Sequence, residues 1–223
     1  MHYKFIVTKN VKKFASAAEN INHKLVGMER MALVAGEPGL GKSETAQWYH
    51  AKNNAVYIRV IGMMSAPWLL RTVVKELGQE PEWRTEYVFN QLKKTLTSRP
   101  RTLIFDEVDR LPKEAIEGLR DLHDIVHCPM IFIGEENAPE KFSRYPRLLD
   151  RFVEIVRFEK LGSDDVKQIA SEFSEVKFEA DAIEKIVLES EGKFRRILTM
   201  IHKVERIARI NQIKSIGAKE IRW

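Results

Sequence analysis

Cysteine is almost missing from this 223-residue chain, with Cys128 standing alone. That excludes an internal disulfide framework and suits a reducing compartment. Six histidines are scattered without cysteine partners at ligand spacing, so a zinc site has no support. No apolar run approaches the roughly 18 residues that span a bilayer. The N-terminal Met1-His-Tyr-Lys-Phe-Ile-Val7 lacks an apolar segment followed by a small-residue cleavage site. A cytoplasmic protein without a membrane partner is expected. Internal repeats and low-complexity segments are also missing.

What is present is an ordinary globular composition, 44% hydrophobic, in a chain long enough for one large domain or a core with an appendage. The net charge of +5 is unevenly placed. Residues 1–35 carry six basic against two acidic residues and residues 192–223 nine against two, leaving 22 against 28 in the middle. Basic ends around an acidic middle hint at a polyanion partner, though a solvated basic helix face produces the same local excess.

The chain is organised around Met31-Ala-Leu-Val-Ala-Gly36-Glu37-Pro38-Gly39-Leu40-Gly41-Lys42-Ser43-Glu44, an apolar strand pattern running into a glycine-rich turn and then a helical pattern. In a G-x-x-x-x-G-K-[ST] loop the glycines let successive N–H groups turn inward on a phosphate. The lysine reaches the β- and γ-phosphates and the hydroxyl serves Mg²⁺. The positive end of the following helix points at the same phosphates. Lys42 and Ser43 therefore take the phosphate and metal roles.

A second signature is Arg101-Thr-Leu-Ile-Phe-Asp106-Glu107, an apolar strand ending in adjacent acids. After a phosphate loop, the first acid suits a metal held through water and the second suits polarisation of an attacking water. Asp106 is thus the second metal residue beside Ser43, and Glu107 the catalytic one.

Further strands are expected at 31–35, 55–61, 130–134 and 152–158. Helices are expected from the cap at Thr8, and at 43–52, 68–77, 85–97, 112–127 and 139–150. The alternation calls for a parallel sheet covered on both faces. From Gly162 only helices are expected, at 163–173 with Ser163 as cap, 181–191 and 194–212. The fold class is therefore α/β, a P-loop core with a five-stranded parallel sheet over 1–159, followed by a small all-helical lid over 160–223.

Loop, acid pair and helical lid in this order resemble the AAA+ ATPases. Within them, Asp106-Glu-Val-Asp-Arg-Leu111 and Gly118-Leu-Arg-Asp-Leu-His-Asp124 are most similar to the transposition helpers of the phage Mu B type. The resemblance implies ATP and Mg²⁺ as cofactors, with residues 36–44, Asp106, Asn137 and Arg195 around the nucleotide. The first sensor falls on Glu135 or Asn137, where a glutamate departs from the family's usual Asn, Ser or Thr. The arginine finger falls on Arg151, with Arg147 as the alternative, and the second sensor on Arg195 or its neighbour Arg196.

The subgroup implies an ATP-dependent oligomer or filament on duplex DNA, a transposase partner, and release by hydrolysis. The core is expected to begin almost at Met1, leaving no room for an added helix-turn-helix domain, so DNA would meet the ATPase body. Lys75, Arg84 and Thr85 are the implied contacts, with Arg206, Arg209 and Lys214 as rivals. Competing functions are a P-loop kinase, a helicase loader, a replication initiator, a secretion-linked ATPase, and an ATP-binding scaffold with incidental hydrolysis.

Overall fold

Five parallel strands form the central sheet of a computed structural model that describes residues 5–25 and 28–221. They are β1 (Met31–Ala35), β2 (Val56–Arg59), β3 (Leu103–Asp106), β4 (Met130–Ile133) and β5 (Phe152–Arg157), in the order β2-β3-β4-β1-β5. β1, β3 and β4 are buried at every position, as strands covered on both faces must be. The register pairs Asp106 with Ile133 on one side and with Arg59 on the other. The acid that ends β3 is therefore flanked by the ends of both neighbouring strands.

By its contacts the chain divides into two compact units rather than at a single cut near residue 160. One holds residues 13–36 and 42–157. The other gathers residues 158–221 together with residues 5–12 and 37–41.

In the first unit, helices cover the sheet where periodicity placed them: α1 (Lys9–His23, whose first turn belongs to the other unit), α2 (Lys42–Asn53), α3 (Ala66–Glu76), α4 (Thr85–Ser98) and α5 (Lys113–Val126). Their ends follow local chemistry. The Thr8 hydroxyl accepts from the Val11 N–H at 3.5 Å, and Ser65 caps α3 by accepting from the Trp68 N–H at 3.4 Å. Gly78 stops α3 with φ +79, in the left-handed region glycine enters without cost. Val88, Leu92 and Leu96 bring α4 onto the core, fully buried, at about 2 kcal/mol each.

One expected helix is corrected. Residues 139–150 do not form a single helix but two short ones, α6 (Ala138–Phe142) and α7 (Pro146–Leu149). Pro146 cannot donate a helical N–H, and its ring drives Tyr145 out of the helical region, to φ −122, ψ 71.

The second unit is built on α8 (Ser163–Phe173), α9 (Ala180–Ser190) and α10 (Phe194–Ile210), around Ile169, Ile186, Ile197 and Ile201. Ser163 is the first helical residue rather than the cap. Gly162 takes the cap position, and Asp165 Oδ2 accepts the Gly162 N–H at 3.3 Å. The unit also carries a two-residue parallel pair, β6 (Lys177–Phe178) with β7 (Ser215–Ile216), so a strand pair joins its helices.

Candidate nucleotide site

The loop after β1 has the backbone its sequence demands. Gly39 and Gly41 stand at φ +86 and +92, where side chains are strained, and α2 begins at Lys42. Lys42 Nζ donates to the Gly36 carbonyl at 2.5 Å. Burial lowers its pKa, opposed by the charges of Asp106, Asp109, Glu135 and Glu44. Ser43 follows in the first turn of α2, partly exposed.

Asp106 is 2% exposed. Its Oδ1 accepts the Glu107 N–H at 2.9 Å and its Oδ2 accepts the Tyr57 hydroxyl at 2.7 Å. Glu107 sits in the left-handed region at φ 60, ψ 40. Its Oε1 accepts from Arg59 Nε at 2.9 Å, and its Oε2 lies 2.9 Å from Arg110.

Asp109 is a residue that the sequence pattern did not single out. Its Oδ2 accepts the Glu135 N–H at 2.6 Å and its carbonyl accepts from Lys141 Nζ. It thereby ties the turn after β3 to the first-sensor segment. Gly134 has to be glycine there, since a Cβ would lie 2.6 Å from the Ala138 Cβ and 2.8 Å from Asp109 Oδ2. Of the two first-sensor candidates, Glu135 contributes to the field on Lys42, while Asn137 stands at the cap of α6 without a side-chain cap hydrogen bond.

Tyr57, Arg59 and Arg110 were likewise missed. Their signal was the alternation Tyr57-Ile-Arg59, which sends both side chains to one face of a strand, but nothing local said that this strand pairs with β3.

Within the second unit, Arg195 lies next to the phosphate loop through its backbone, the Arg195 N–H donating to the Gly39 carbonyl at 3.2 Å. Glu37 Oε1 is 3.3 Å from Lys160, and its Oε2 is 3.7 Å from Lys193. The Arg195 side chain is exposed, and no ion pair engages it among the described residues. Arg196 is instead bonded to Glu191. The Lys193 and Arg196 side chains hold the Glu191 carboxyl down at about 2.

The two finger candidates differ sharply. Arg151 Nε is 2.9 Å from Asp124 Oδ1 and 3.2 Å from Glu29 Oε1, and its Nη2 is 3.2 Å from Asp124 Oδ2. Beside them the buried His123 accepts the Arg30 N–H on Nε2 at 3.3 Å, leaving Nδ1 to face Glu29 and Asp124. Glu29, His123 and Asp124 bring potential ligand atoms within 4.8 Å of one another, but the guanidinium already supplies their cation. Arg147 is exposed and unpaired among the described residues, on the wall of a cavity of about 330 Å³ with Arg120, Arg144 and Tyr145.

The suggested DNA contacts lie on the surface of α3 and α4. Lys75 and Thr85 are exposed, and Arg84 lies over the Tyr87 ring at 5.9 Å. Glu76, Glu80, Glu82 and Glu86 surround them, all exposed.

A family model described as an AAA domain matches residues 26–142. The chain belongs to the AAA domain family. A Staphylococcus aureus protein described as a potential ATP-binding protein is 24% identical over 258 residues, covering 97% of this chain and 93% of that protein. ATP-dependent target DNA activator B of Escherichia phage Mu is 29% identical over 182 residues, 75% of this chain and 55% of the phage protein. The chain therefore spans about half the length of that relative.

Among solved structures, the ORC2 protein of Aeropyrum pernix superposes with a TM-score of 0.74 at 15% identity, over 100% of this chain and 69% of that one. The Thermotoga maritima RuvB branch-migration motor gives 0.62 at 23%, over 97% and 68%. These likenesses carry the fold. Among the described residues, no helix is long and apolar enough to cross a membrane.

The residues in place fit a Mg²⁺–nucleotide: a lysine that donates to a carbonyl of the loop itself, and a buried carboxylate oriented by two donors. Lys42 would hold phosphate, and Ser43 and Asp106 would hold the ion. Once bound, the ion would neutralise charge developing on the phosphates.

Proposed function

We propose that this chain is a Mg²⁺-dependent ATPase that assembles on duplex DNA as a head-to-tail oligomer or filament. In this reading the assembly recruits or regulates a transposase and is released by hydrolysis. The observation that carries the hydrolytic part is the acid pair: Asp106 is buried and oriented, and Glu107 projects beside it from a strained backbone. A metal ligand followed by a water-polarising acid suits water as the nucleophile, rather than the acceptor hydroxyl of a kinase substrate.

The DNA part is supported by the 29% identity to a phage protein named as an ATP-dependent target DNA activator. The basic excess at both ends of the chain agrees with it. Lys75, Arg84 and Thr85 are the contacts that the resemblance implies, but the exposed Glu76, Glu80, Glu82 and Glu86 near them in the chain oppose a polyanion. That balance favours the rival surface of the second unit, where Arg206 and Lys214 are exposed and Arg209 pairs with Glu205 and Glu175.

A scaffold with slow hydrolysis is the second reading, favoured by the two arginines that engage Glu107. Phosphate release measured against duplex DNA, with sedimentation in the same buffers, separates the two. The switch requires DNA-stimulated turnover and ATP-dependent assembly. The scaffold assembles without stimulated turnover. A monomer with ATP and DNA both present refutes each.

A further inference from the structure

The half-buried Tyr57–Asp106 hydrogen bond is not explained by nucleotide contact, because Tyr57 belongs to a strand outside both sequence motifs. Its hydroxyl donates to Asp106 Oδ2 at 2.7 Å. The phenol is the donor of this bond and the carboxylate can only accept.

Asp106 ends β3. β2 lies beside β3, with Tyr57 opposite Ile104 and Arg59 opposite Asp106. Tyr57 thus reaches diagonally along the ladder to the acid. A carboxylate with free torsion would present its lone pairs over a wide arc. With Oδ1 taken by the Glu107 N–H and Oδ2 by Tyr57, the remaining lone pairs point in fixed directions.

We propose that Tyr57 is a positioning residue for the metal-binding carboxylate of Asp106, so that this hydrogen bond sets the affinity of the site for Mg²⁺. This rests on the reading of the loop and acid pair as a Mg²⁺–nucleotide site. Outer-shell partners of metal ligands commonly set affinity by one to two orders of magnitude.

The test is a Mg²⁺ titration of fluorescent ATP-analogue binding, compared with binding in EDTA. Tyr57→Phe keeps the ring and removes only the donor. It should raise the Mg²⁺ midpoint about tenfold, with unchanged affinity in EDTA and a native-like melting curve. Tyr57→Met also lacks the donor and should shift the midpoint in the same direction, and it carries the test if Tyr57→Phe fails to fold. Mn²⁺ binding followed by electron paramagnetic resonance should weaken in parallel.

An unchanged midpoint in both variants overturns the proposal and leaves Tyr57 as a partner for a buried acid. An equal loss of affinity with and without Mg²⁺ also overturns it, since the defect would then lie in the nucleotide pocket. Wild-type protein that binds nucleotide without any Mg²⁺ dependence refutes the underlying site reading instead.

Discussion

Arg59 Nε lies 2.9 Å from Glu107 Oε1, so the acid assigned to the attacking water is already engaged by a cation on the neighbouring strand. Arg110 engages its other oxygen at 2.9 Å. A carboxylate held between two guanidiniums is oriented by them rather than by water. Arg59 is largely exposed, so a competing anion can reach it. Arg59→Ala should therefore raise basal ATP turnover about threefold to tenfold, within what positioning of a general base commonly contributes. Steady-state phosphate release at saturating ATP measures it. Turnover falling to the level of Glu107→Gln would mean that Arg59 aims the acid productively.

Binding and chemistry should separate by mutation. Lys42→Ala removes the amine that donates to the loop carbonyl of Gly36, and nucleotide affinity should fall. Glu107→Gln leaves Lys42 and Asp106 intact, so ATP should bind normally while turnover drops about a hundredfold or more. Equilibrium binding alongside single-turnover hydrolysis tests both. Native turnover in Glu107→Gln would remove that residue from the mechanism.

Much of this site was legible because its chemistry is local. Gly39, Gly41, Lys42 and Ser43 are adjacent in the chain, and Asp106 and Glu107 end an apolar run that could only be a buried strand. The partners of those acids were not legible. The strand order β2-β3-β4-β1-β5 is not sequential, and only that order sets Tyr57 and Arg59 against Asp106 and Glu107. The same holds for Arg151, whose partners Glu29 and Asp124 come from distant segments. Pro146 was a visible signal of a different kind: a proline inside a helical pattern, which local steric rules are enough to read as a break.

The arginine-finger assignment now has a test that stability resolves. Arg151→Ala would strand Glu29 and Asp124 beside the buried His123 and should lower stability by about 1–2 kcal/mol. Arg147→Ala removes an exposed, unpaired side chain and should leave the melting temperature unchanged. Mixing each variant with Lys42→Ala subunits then reads the trans role. Hydrolysis should reappear at mixed interfaces for whichever arginine acts across the contact. If the Arg147→Ala protein alone hydrolyses ATP at the native rate, Arg147 is not the finger.

His123 gives the fold a defined acid sensitivity. Burial lowers its pKa from the ordinary 6.5 to about 4, with Asp124 opposing the shift and His127 and Arg151 reinforcing it. The group faces Glu29 and Asp124 through Nδ1 and the Arg30 N–H through Nε2. In the unfolded chain the imidazole takes up its proton near pH 6.5, and in the folded chain only near pH 4. Between those values the unfolded state holds more protons, so stability rises with pH and is lost as pH falls through the window. Complete passage costs roughly 3 kcal/mol. Asp124, held below its ordinary 3.8 by Arg151, adds its own loss only at still lower pH, outside this window. Urea midpoints at constant ionic strength should therefore fall steadily from pH 6.5 to 4 in the native protein. His123→Gln, which retains an acceptor for the Arg30 N–H and cannot titrate, should flatten that slope. Coincident slopes for the two proteins would assign the acid sensitivity to another group.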